Sequence, residues 1–482
     1  MYKITHLSNE EAPMSISHSA FSLFQEGTSS FSITKLDSVI NTIKHYIPTL
    51  PSCTIGDLHV SKPIVQGGMG VGISLSGLAS SVANQGGIGV IAANGIGLLE
   101  KDYYKDGQGA NIRAFRSEIQ KARSLSDGVL GVNIMVALAD YLPLLDVAIE
   151  EKVDIIFLGA GLPIKNIPIT KIRANNIKIS PIVSSARAMK MVCSMWYKLY
   201  NDLPDCFVLE GPLAGGHLGF SEEQIEDSAF SLENLTIEAV AELASIHEQY
   251  NKKIALIVGG GVYSGADIHR FLSLGADGVQ MGTRFVATEE CDASRAFKEA
   301  YLKAKKEDIG LIQSPVGLLG RAIRNKFISD AEEGKRPSFV CGWKCLSSCK
   351  AQDAHYCISI ALNNARKGFL NIGFVFAGTN AYRIKRIVSV AELMNQLEVG
   401  YTRAKASRIT AILTTVDRLK GTYLEVQQHV GELALRYEVS LKQLVHGDRA
   451  LKKQYLAATA KLEKIRLKLV ETITAGGGLV TA

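Results

Sequence analysis

The chain has 482 residues, of which 47% are hydrophobic and 21% charged, a composition ordinary for a globular protein. Its net charge of +6 belongs to residues 401–482, which hold 14 Lys and Arg against 7 Asp and Glu. This excess is too dilute and too mixed in sign to indicate nucleic-acid binding. We find no apolar stretch of membrane-spanning length and no signal-peptide pattern, so we expect a cytoplasmic protein without a membrane partner.

Short apolar runs that end in small residues recur along the chain. The segment before the first run, residues 1–50, is Ser-rich and weakly patterned, and we interpret it as an N-terminal extension. Segments with helical spacing, such as NIRAFRSEIQKARSL and LTIEAVAELASIHEQY, separate most of the runs. Eight runs are present, at 62–70, 88–95, 130–136, 153–161, 178–185, 206–216, 254–261 and 277–285.

Continuous apolar strands that alternate with helices indicate an α/β protein whose parallel strands are buried on both faces. Eight such units match a TIM (β/α)8 barrel, and a doubly wound open sheet is the alternative. The count of eight and the small residues at every strand end favour the barrel. In a barrel the carboxyl ends of all strands meet at one face, where the active site lies.

The rest of the chain predicts two further parts. Residues 286–400 are interpreted as an insertion or cap on the barrel, and this part includes a last helix near SVAELMNQLEVG. Residues 401–482 keep helical apolar spacing and predict a C-terminal helical tail. The barrel domain with its cap is therefore expected to span residues 51–400.

Two glycine-rich loops follow the last two predicted strands. VGGGVYSGADI ends the seventh strand and leads into a helix, and VQMGTRF ends the eighth. Loops in these two positions form the usual phosphate site of TIM barrels, although simple turn glycines are the alternative. The phosphate site is expected to comprise Gly259, Gly260, Gly261, Gln280, Met281, Gly282 and Thr283.

The loop QGGMG at residues 66–70 follows the first strand. Glycine lets a backbone lie flat against a planar ring, so Gly67, Gly68 and Met69 could reach the polar edge of such a ring. Asn94 and Asn133 stand at the ends of the second and third strands, and their amides suit the donor and acceptor edge of a flavin or a base. Loop capping is the alternative for each asparagine. Together with the phosphate loops, this pattern describes flavin mononucleotide (FMN) across the barrel mouth.

One histidine follows the sixth strand, in the sequence FVLEGPLAGGHLGF. His217 lies between Gly215-Gly216 and Gly219, and these glycines allow the loop to approach a flat cofactor closely. An imidazole in this place suits an acid or base near neutral pH, whereas a purely structural histidine is the alternative. We therefore predict that His217 is catalytic.

Four separated motifs resemble, in the same order, those of the nitronate monooxygenase (2-nitropropane dioxygenase-like) family. They are PIVQGGMGVGIS, GPLAGGHLGF, GADGVQMGTRFVATEEC and SPVG, and the resemblance covers roughly residues 55–400. It implies an FMN-containing TIM barrel with His217 as the catalytic histidine, Gln66 to Met69 as the first flavin loop, and phosphate loops at Gly260-Gly261 and Gln280 to Thr283. The implied reaction is oxidation of an alkyl nitronate by O2 to a carbonyl compound and nitrite.

The resemblance leaves other activities open. Flavin-dependent enoyl-ACP reductases share the histidine loop and the GVNIM strand, and they reduce a carbon–carbon double bond with NAD(P)H. The alternative is therefore an enoyl-thioester reductase, and a third reading is a flavin-binding subunit of a synthase complex held through the basic tail. The expected partners are a nitronate or an enoyl thioester, with O2 or NAD(P)H. The tail is also a candidate contact for a homo-oligomer or a synthase partner.

Four of the eight cysteines lie close together in CGWKCLSSCKAQDAHYC, at Cys341, Cys345, Cys349 and Cys357. A spacing of four would place the first three on one face of a helix. Four thiolates can hold zinc or an iron–sulfur cluster, but neither zinc nor ferredoxin spacing is present. We therefore expect a reduced, packed stripe of thiols near the active site and no metal.

Overall fold

The computed structural model describes residues 33–44, 48–335, 339, 341, 343–347, 349–442 and 449–481. It contains two compact units. The larger unit spans residues 50–401, and the smaller one contains the described parts of residues 1–49 and 402–482. Most of the predicted N-terminal extension lies outside the described residues.

Eight parallel strands close into a barrel in the larger unit. Each strand pairs with the next in chain order, the last pairs with the first, and a parallel bridge between Val65 and Ile88 joins the first to the second. The predicted barrel is therefore confirmed and the open sheet is not formed. The strands are β1 (Ile64–Gln66), β2 (Gly89–Ala92), β3 (Leu130–Met135), β4 (Ile155–Gly159), β5 (Lys178–Val183), β6 (Cys206–Glu210), β7 (Ala255–Gly259) and β8 (Gly278–Met281).

Helices alternate with these strands. Serine side chains cap several of them; Ser185, Ser231 and Ser264, for example, each accept a hydrogen bond from a backbone N–H of the first helical turn. The helices between the strands are Ser76–Asn84, Gly107–Leu125, Tyr141–Glu150, Ile169–Ala174, Ala186–Tyr200, Glu222–Glu226, Leu232–Tyr250 and Gly265–Ser273, and Thr283–Val286 follows β8.

The inside of the barrel is filled by apolar side chains and is closed at one end. An antiparallel hairpin, Cys53–Ile55 with Leu58–Val60, precedes β1. Its inward side chains, such as Ile55 and Val60, belong to the same buried cluster as Val65, Phe157 and Val208 of the barrel strands. A TIM barrel is a packed core rather than a pore. The hairpin thus plugs the amino-terminal end, and the carboxyl-terminal face remains for a site.

Residues 287–389 supply further strands and helices to the larger unit. The strands Ile309–Gln313, Leu319–Ile323 and Val375–Phe376 form a small antiparallel sheet, which the two-residue strand Gly216–His217 joins after β6. This sheet therefore meets the barrel at its carboxyl-terminal face. The helices of this region are Arg295–Lys303, Lys326–Glu332 and Ile358–Arg366.

Long helices form most of the smaller unit. The predicted C-terminal helices are present: Val390–Lys442 begins in the larger unit at the predicted last helix and continues into the smaller one, and Arg449–Thr481 follows. With Ile33–Lys44 they enclose a small apolar cluster that includes Leu36, Val416 and Leu469. None of the described helices has the length and apolar content of a membrane-spanning segment.

Candidate active site

A cavity of about 270 Å³ lies at the carboxyl-terminal ends of the barrel strands. Most residues singled out in the sequence line it, although they come from five different strand ends. The lining includes Gly67, Gly68, Met69, Asn94, His217, Gly260, Gly261, Gln280, Met281, Gly282 and Thr283. The remaining three predicted residues, Gln66, Asn133 and Gly259, are not part of the lining.

The loops after β7 and β8 form one end of the cavity. Gly260 and Gly261 have backbone φ values of +86° and +118°, which residues other than glycine rarely adopt. A Cβ on Gly260 would lie 2.5 Å from the carbonyl oxygen of Gly211, so the backbones of two neighbouring loops touch there. Within the described part of the chain, the N–H groups of Gly261, Gly282 and Thr283 have no hydrogen-bond acceptor. Unpaired amides beside a cavity suit an anionic group such as a phosphate.

The glycine loop after β1 forms another part of the lining. Its backbone is fixed from below, because the Gln66 side chain donates to the Gly67 carbonyl oxygen (2.6 Å) and accepts from the Val90 N–H (3.0 Å). Gly68 packs on Asn133, whose Cβ would lie 2.4 Å from a Cβ at Gly68. The side chains of Gln66 and Asn133 thus support the loop and do not reach the cavity.

His217 lies in the cavity wall with a defined orientation. Its Nε2 is 2.8 Å from Oγ of Ser314, and its ring meets the Phe376 ring edge-on at a centroid distance of 5.2 Å. Burial disfavours the charged ring and lowers the pKa of His217 to about 4. We expected a charge change near neutral pH; the structure instead gives an imidazole that stays neutral there.

Gly215 and Gly216, which precede His217, are required for different structural reasons. A Cβ on Gly215 would lie 2.4 Å from the backbone of Ala377, whereas a Cβ on Gly216 would meet nothing within 4 Å. Gly215 therefore allows two loops to touch, and Gly216, at φ +86°, turns the chain beside open space in the cavity. The buried Arg321 holds the loop, because its guanidinium donates to the carbonyl oxygens of Pro212 (2.6 Å) and Ala214 (2.7 Å).

Sequence reasoning missed a carboxylate in this cavity. Glu210 is the last residue of β6 and lines the cavity that His217 also lines. Burial raises the pKa of Glu210 to about 7, so its proton can be lost or gained near neutral pH. A signal was present, since a polar residue at the carboxyl end of a barrel strand is typical of a catalytic position.

The cap region also contributes residues that the sequence did not reveal. Ser314 holds His217, and the Asn380 side chain donates to the Gly261 carbonyl oxygen at 2.7 Å. The N–H of Gly378 donates to Oγ1 of Thr283 at 3.0 Å. The cap therefore fixes both the histidine and the loops that follow β7 and β8. Ser314 belongs to the SPVG motif, so this motif was the one available signal for the cap's part in the site.

Unpaired amides at one end, a flat glycine loop, and a neutral histidine with a nearby carboxyl group fit a phosphate-bearing flavin. A TIM barrel with this site defines the class of flavin-dependent oxidoreductases. The model of the nitronate monooxygenase family matches residues 52–400, and the chain belongs to this family. The protein is therefore an enzyme of the flavin oxidoreductase type.

Curated relatives and solved structures agree with this assignment. A probable nitronate monooxygenase of Staphylococcus aureus (strain Newman) is 26% identical over 311 residues, covering 58% of this chain and 81% of that protein. FabK from Thermotoga maritima has a TM-score of 0.56 at 26% identity and covers 75% of this chain and 96% of that one. Nitroalkane oxidase from Streptomyces ansochromogenes has a TM-score of 0.56 at 20% identity, covering 72% and 98%, and shares the fold.

A further relative acts on a different kind of molecule. A 5-hydroxy-7a-methyl-1-oxo-octahydro-1H-indene-4-carboxyl-CoA dehydrogenase of Rhodococcus jostii (strain RHA1) is 26% identical over 273 residues. The match covers 57% of this chain and 65% of that protein. Relatives at the same level of identity are thus named for two different substrates, a nitronate and a CoA thioester.

Proposed function

We propose that this protein is an FMN-dependent enzyme that oxidises alkyl nitronates with O2 to a carbonyl compound and nitrite. The observation that carries the proposal is the shared cavity. It combines unpaired loop amides for a single phosphate with a neutral histidine on a strand end of the same barrel face. The family match over residues 52–400 and the probable nitronate monooxygenase relative support the choice of substrate.

The residues of the chain have distinct tasks in this proposal. The amides of Gly261, Gly282 and Thr283 hold the phosphate, and the loop at Gly67 to Met69 lies against the ring. Bound FMN supplies the electron-accepting ring. His217 accepts the α-proton when the substrate is a neutral nitroalkane, or donates a hydrogen bond to the nitro oxygens of a nitronate. Burial keeps its ring neutral, so a nitrogen is ready to accept a proton.

The contact with Ser314 determines which imidazole nitrogen of His217 is available to the substrate. Because Nε2 is held by Oγ of Ser314, the nitrogen left for a substrate is Nδ1, which has no partner among the described residues. This contact fixes the plane of the ring. Ser314 is therefore a positioning residue for the proton-accepting atom.

A second candidate function is reduction of an enoyl thioester with NAD(P)H. Glu210 favours it, because reduction of a double bond requires a proton donor and the pKa of this carboxyl group is about 7. The relative from Rhodococcus jostii, named for a carboxyl-CoA substrate, supports a thioester as the substrate. The two candidates share the cavity and the cofactor and differ in the electron donor.

The test is anaerobic reduction of the flavin-loaded protein. Under the proposal, a nitronate changes the flavin absorbance and NADH or NADPH does not; after air is admitted, nitronate and O2 are consumed and nitrite forms. Bleaching by NADH or NADPH, followed by reoxidation with an enoyl thioester, would replace the proposal by the second candidate. A protein that binds FMN but reacts with neither donor would instead be a flavin-binding subunit.

A further inference from the structure

A second cavity, of about 210 Å³, adjoins the cavity of the candidate active site. Among the described residues, Tyr263 alone lines both of them. Four residues that line the second cavity are positively charged, and no described residue of its lining is acidic. The four are Arg284, Arg383, Lys385 and Arg386. We call this cavity the basic pocket, and its charge suits a negatively charged ligand.

Two guanidinium groups of the basic pocket meet at the ring of Tyr263. The Cζ atom of Arg383 lies 4.0 Å from the ring centroid, and the Cζ atom of Arg284 lies 4.6 Å from it. Arg284 also donates a hydrogen bond to the Tyr263 hydroxyl group at 3.1 Å. The attraction between cation and ring holds both groups there, although two like charges at this separation repel each other. A bound anion would offset this repulsion.

Three of the four positive charges have no carboxylate partner within the described part of the chain. Their side chains are nevertheless held, because each donates a hydrogen bond to a neutral oxygen. The acceptors are Gln396 Oε1 for Arg284 at 3.1 Å, Asn380 Oδ1 for Arg383 at 3.4 Å, and the Tyr382 carbonyl oxygen for Lys385 at 2.9 Å. Such bonds position the cations and leave their charge available to a ligand.

Two carboxylates near the basic pocket already have cationic partners. Glu392 forms an ion pair with Arg386, the fourth cation of the pocket. Asp267 accepts a hydrogen bond from the Tyr263 N–H at 3.2 Å and forms an ion pair with Arg270 at 2.9 Å. Arg386 therefore adds little net charge to the pocket, and the excess of positive charge comes from the other three cations.

The composition and the size of the basic pocket indicate which anion it suits. Guanidinium groups bind phosphate through two parallel hydrogen bonds, and a lysine adds a compact charge. A phosphate monoester has a charge of about −1.5 to −2 at pH 7, which matches several uncompensated cations better than a single carboxylate does. Pockets that enclose a whole drug-sized ligand have roughly 300–1,000 Å³, so only part of such a ligand would lie in this smaller space.

From these observations we propose that the basic pocket binds the phosphate monoester group of a second ligand, distinct from FMN. Asn380 connects the pocket to the candidate active site, because its side chain donates to the Gly261 carbonyl oxygen and accepts from Arg383. A ligand held by its phosphate would thus have its remaining part beside the active-site cavity. CoA and NADPH both carry a phosphate monoester on a ribose, and either is a source of this group. The proposal goes beyond the proposed function and does not depend on the reaction at the flavin.

The experiment is calorimetric titration of the full chain, loaded with FMN, with two matched pairs of ligands. CoA is compared with dephospho-CoA, and NADP⁺ with NAD⁺; the second member of each pair lacks the phosphate monoester, and binding is measured without turnover. We expect the phosphorylated member of one pair to bind about tenfold more tightly, the effect of one charge-assisted hydrogen bond, and that pair identifies the ligand. Arg383→Gln and Lys385→Gln, at two exposed positions, should reduce this preference and keep FMN bound.

Arg187→Gln is the matched control, because Arg187 is exposed, lines neither cavity and loses the same charge. Wild-type protein that binds both members of each pair equally, or binds none of the four ligands, would overturn the proposal. An equal loss of preference in Arg187→Gln and Arg383→Gln would also overturn it, since the general charge of the protein would then be responsible. The same holds if Arg383→Gln weakens FMN binding and leaves the preference unchanged. None of these results bears on nitronate oxidation, which the flavin-reduction test decides separately.

Discussion

Nε2 of His217 lies 2.8 Å from Oγ of Ser314, although 97 positions separate the two residues in the chain. The contact exists because the strand Gly216–His217 pairs with Gly320–Arg321, and Ser314 directly follows the strand Ile309–Gln313 of the same sheet. The cap sheet thereby carries the hydroxyl group to the imidazole. Ser314 is itself 5% exposed and fixed, because its N–H donates to the Leu318 carbonyl oxygen at 2.9 Å.

We predict that Ser314→Ala lowers kcat about fivefold, since the loss of one hydrogen bond of about 1 kcal/mol leaves the ring less well oriented. FMN affinity should change little, because Ser314 does not line the cavity. Steady-state kinetics and flavin titration measure the two effects. Ser314→Thr keeps a hydroxyl group and should recover most of kcat; equal losses in both variants would speak against a positioning role.

Glu210 should set the pH dependence near neutrality. Its pKa of about 7 means that the carboxyl group loses its proton between roughly pH 6 and 8. We predict a change in kcat/KM across that interval in the wild type and a flat profile there for Glu210→Gln. The neutral imidazole of His217, with a pKa of about 4, contributes no change in this interval. A profile that is the same in both proteins would exclude Glu210 from the reaction.

The barrel was predictable because each of its strands is encoded by a local sequence pattern. Buried parallel strands give apolar runs such as IALIVGGG, and each run predicted a strand that the structure contains. The predicted strands were too long at their ends; the sixth, for example, stops at Glu210 rather than at Gly216. Glycine runs beside strand ends likewise indicated loops that line the cavity.

The cap was not predictable in the same way. Ser314 and Phe376 reach the site through the antiparallel cap sheet and Asn380 through a side-chain hydrogen bond to Gly261, and no local pattern encodes such contacts between distant segments. The positions of the Gln66 and Asn133 side chains relative to the cavity were not predictable for a related reason. A polar side chain at a strand end can face the cavity or support a loop from below, and only the packing of Gly67 and Gly68 decides between them.

The phosphate loops lead to a prediction about the cofactor. Purified protein should be yellow, and acid should release FMN rather than FAD, because no dinucleotide-binding fingerprint follows any strand. Gly261→Val should lower FMN affinity by tenfold or more, since its φ of +118° is strained for valine and a Cβ would lie 3.2 Å from Leu213. Fluorescence titration of the apoprotein measures this affinity.

Gly334→Val is the control for the glycine substitution. It also has a positive φ, +70°, but its Cβ would meet nothing within 4 Å and it does not line the cavity. Equal loss of FMN affinity in both variants would show that backbone strain, and not the position of Gly261 in the cavity wall, causes the loss. A colourless protein that binds no FMN on titration would contradict the assigned phosphate loops altogether.

His217→Ala should separate two forms of the substrate. Proton transfer by a positioned base contributes about 10²- to 10⁴-fold, and only a neutral nitroalkane still has an α-proton to lose. We therefore expect the substitution to lower kcat/KM for the nitroalkane far more than for the preformed nitronate. FMN should remain bound, because the neighbouring Gly215 and Gly216 keep their backbone path. The measurement is the ratio of kcat/KM for the two forms in each protein.

The low pKa of His217 also predicts how the ratio of kcat/KM for the two substrate forms depends on pH. Because the ring is neutral above about pH 4, the ratio in the wild type should not vary with pH through the protonation of His217 in the neutral range. His217→Gln preserves a hydrogen-bond donor without a basic nitrogen, so it should restore nitronate turnover relative to alanine but not nitroalkane turnover. A ratio unchanged by either substitution would mean that another group on this barrel face is the base, and Glu210 would then be the residue to substitute next.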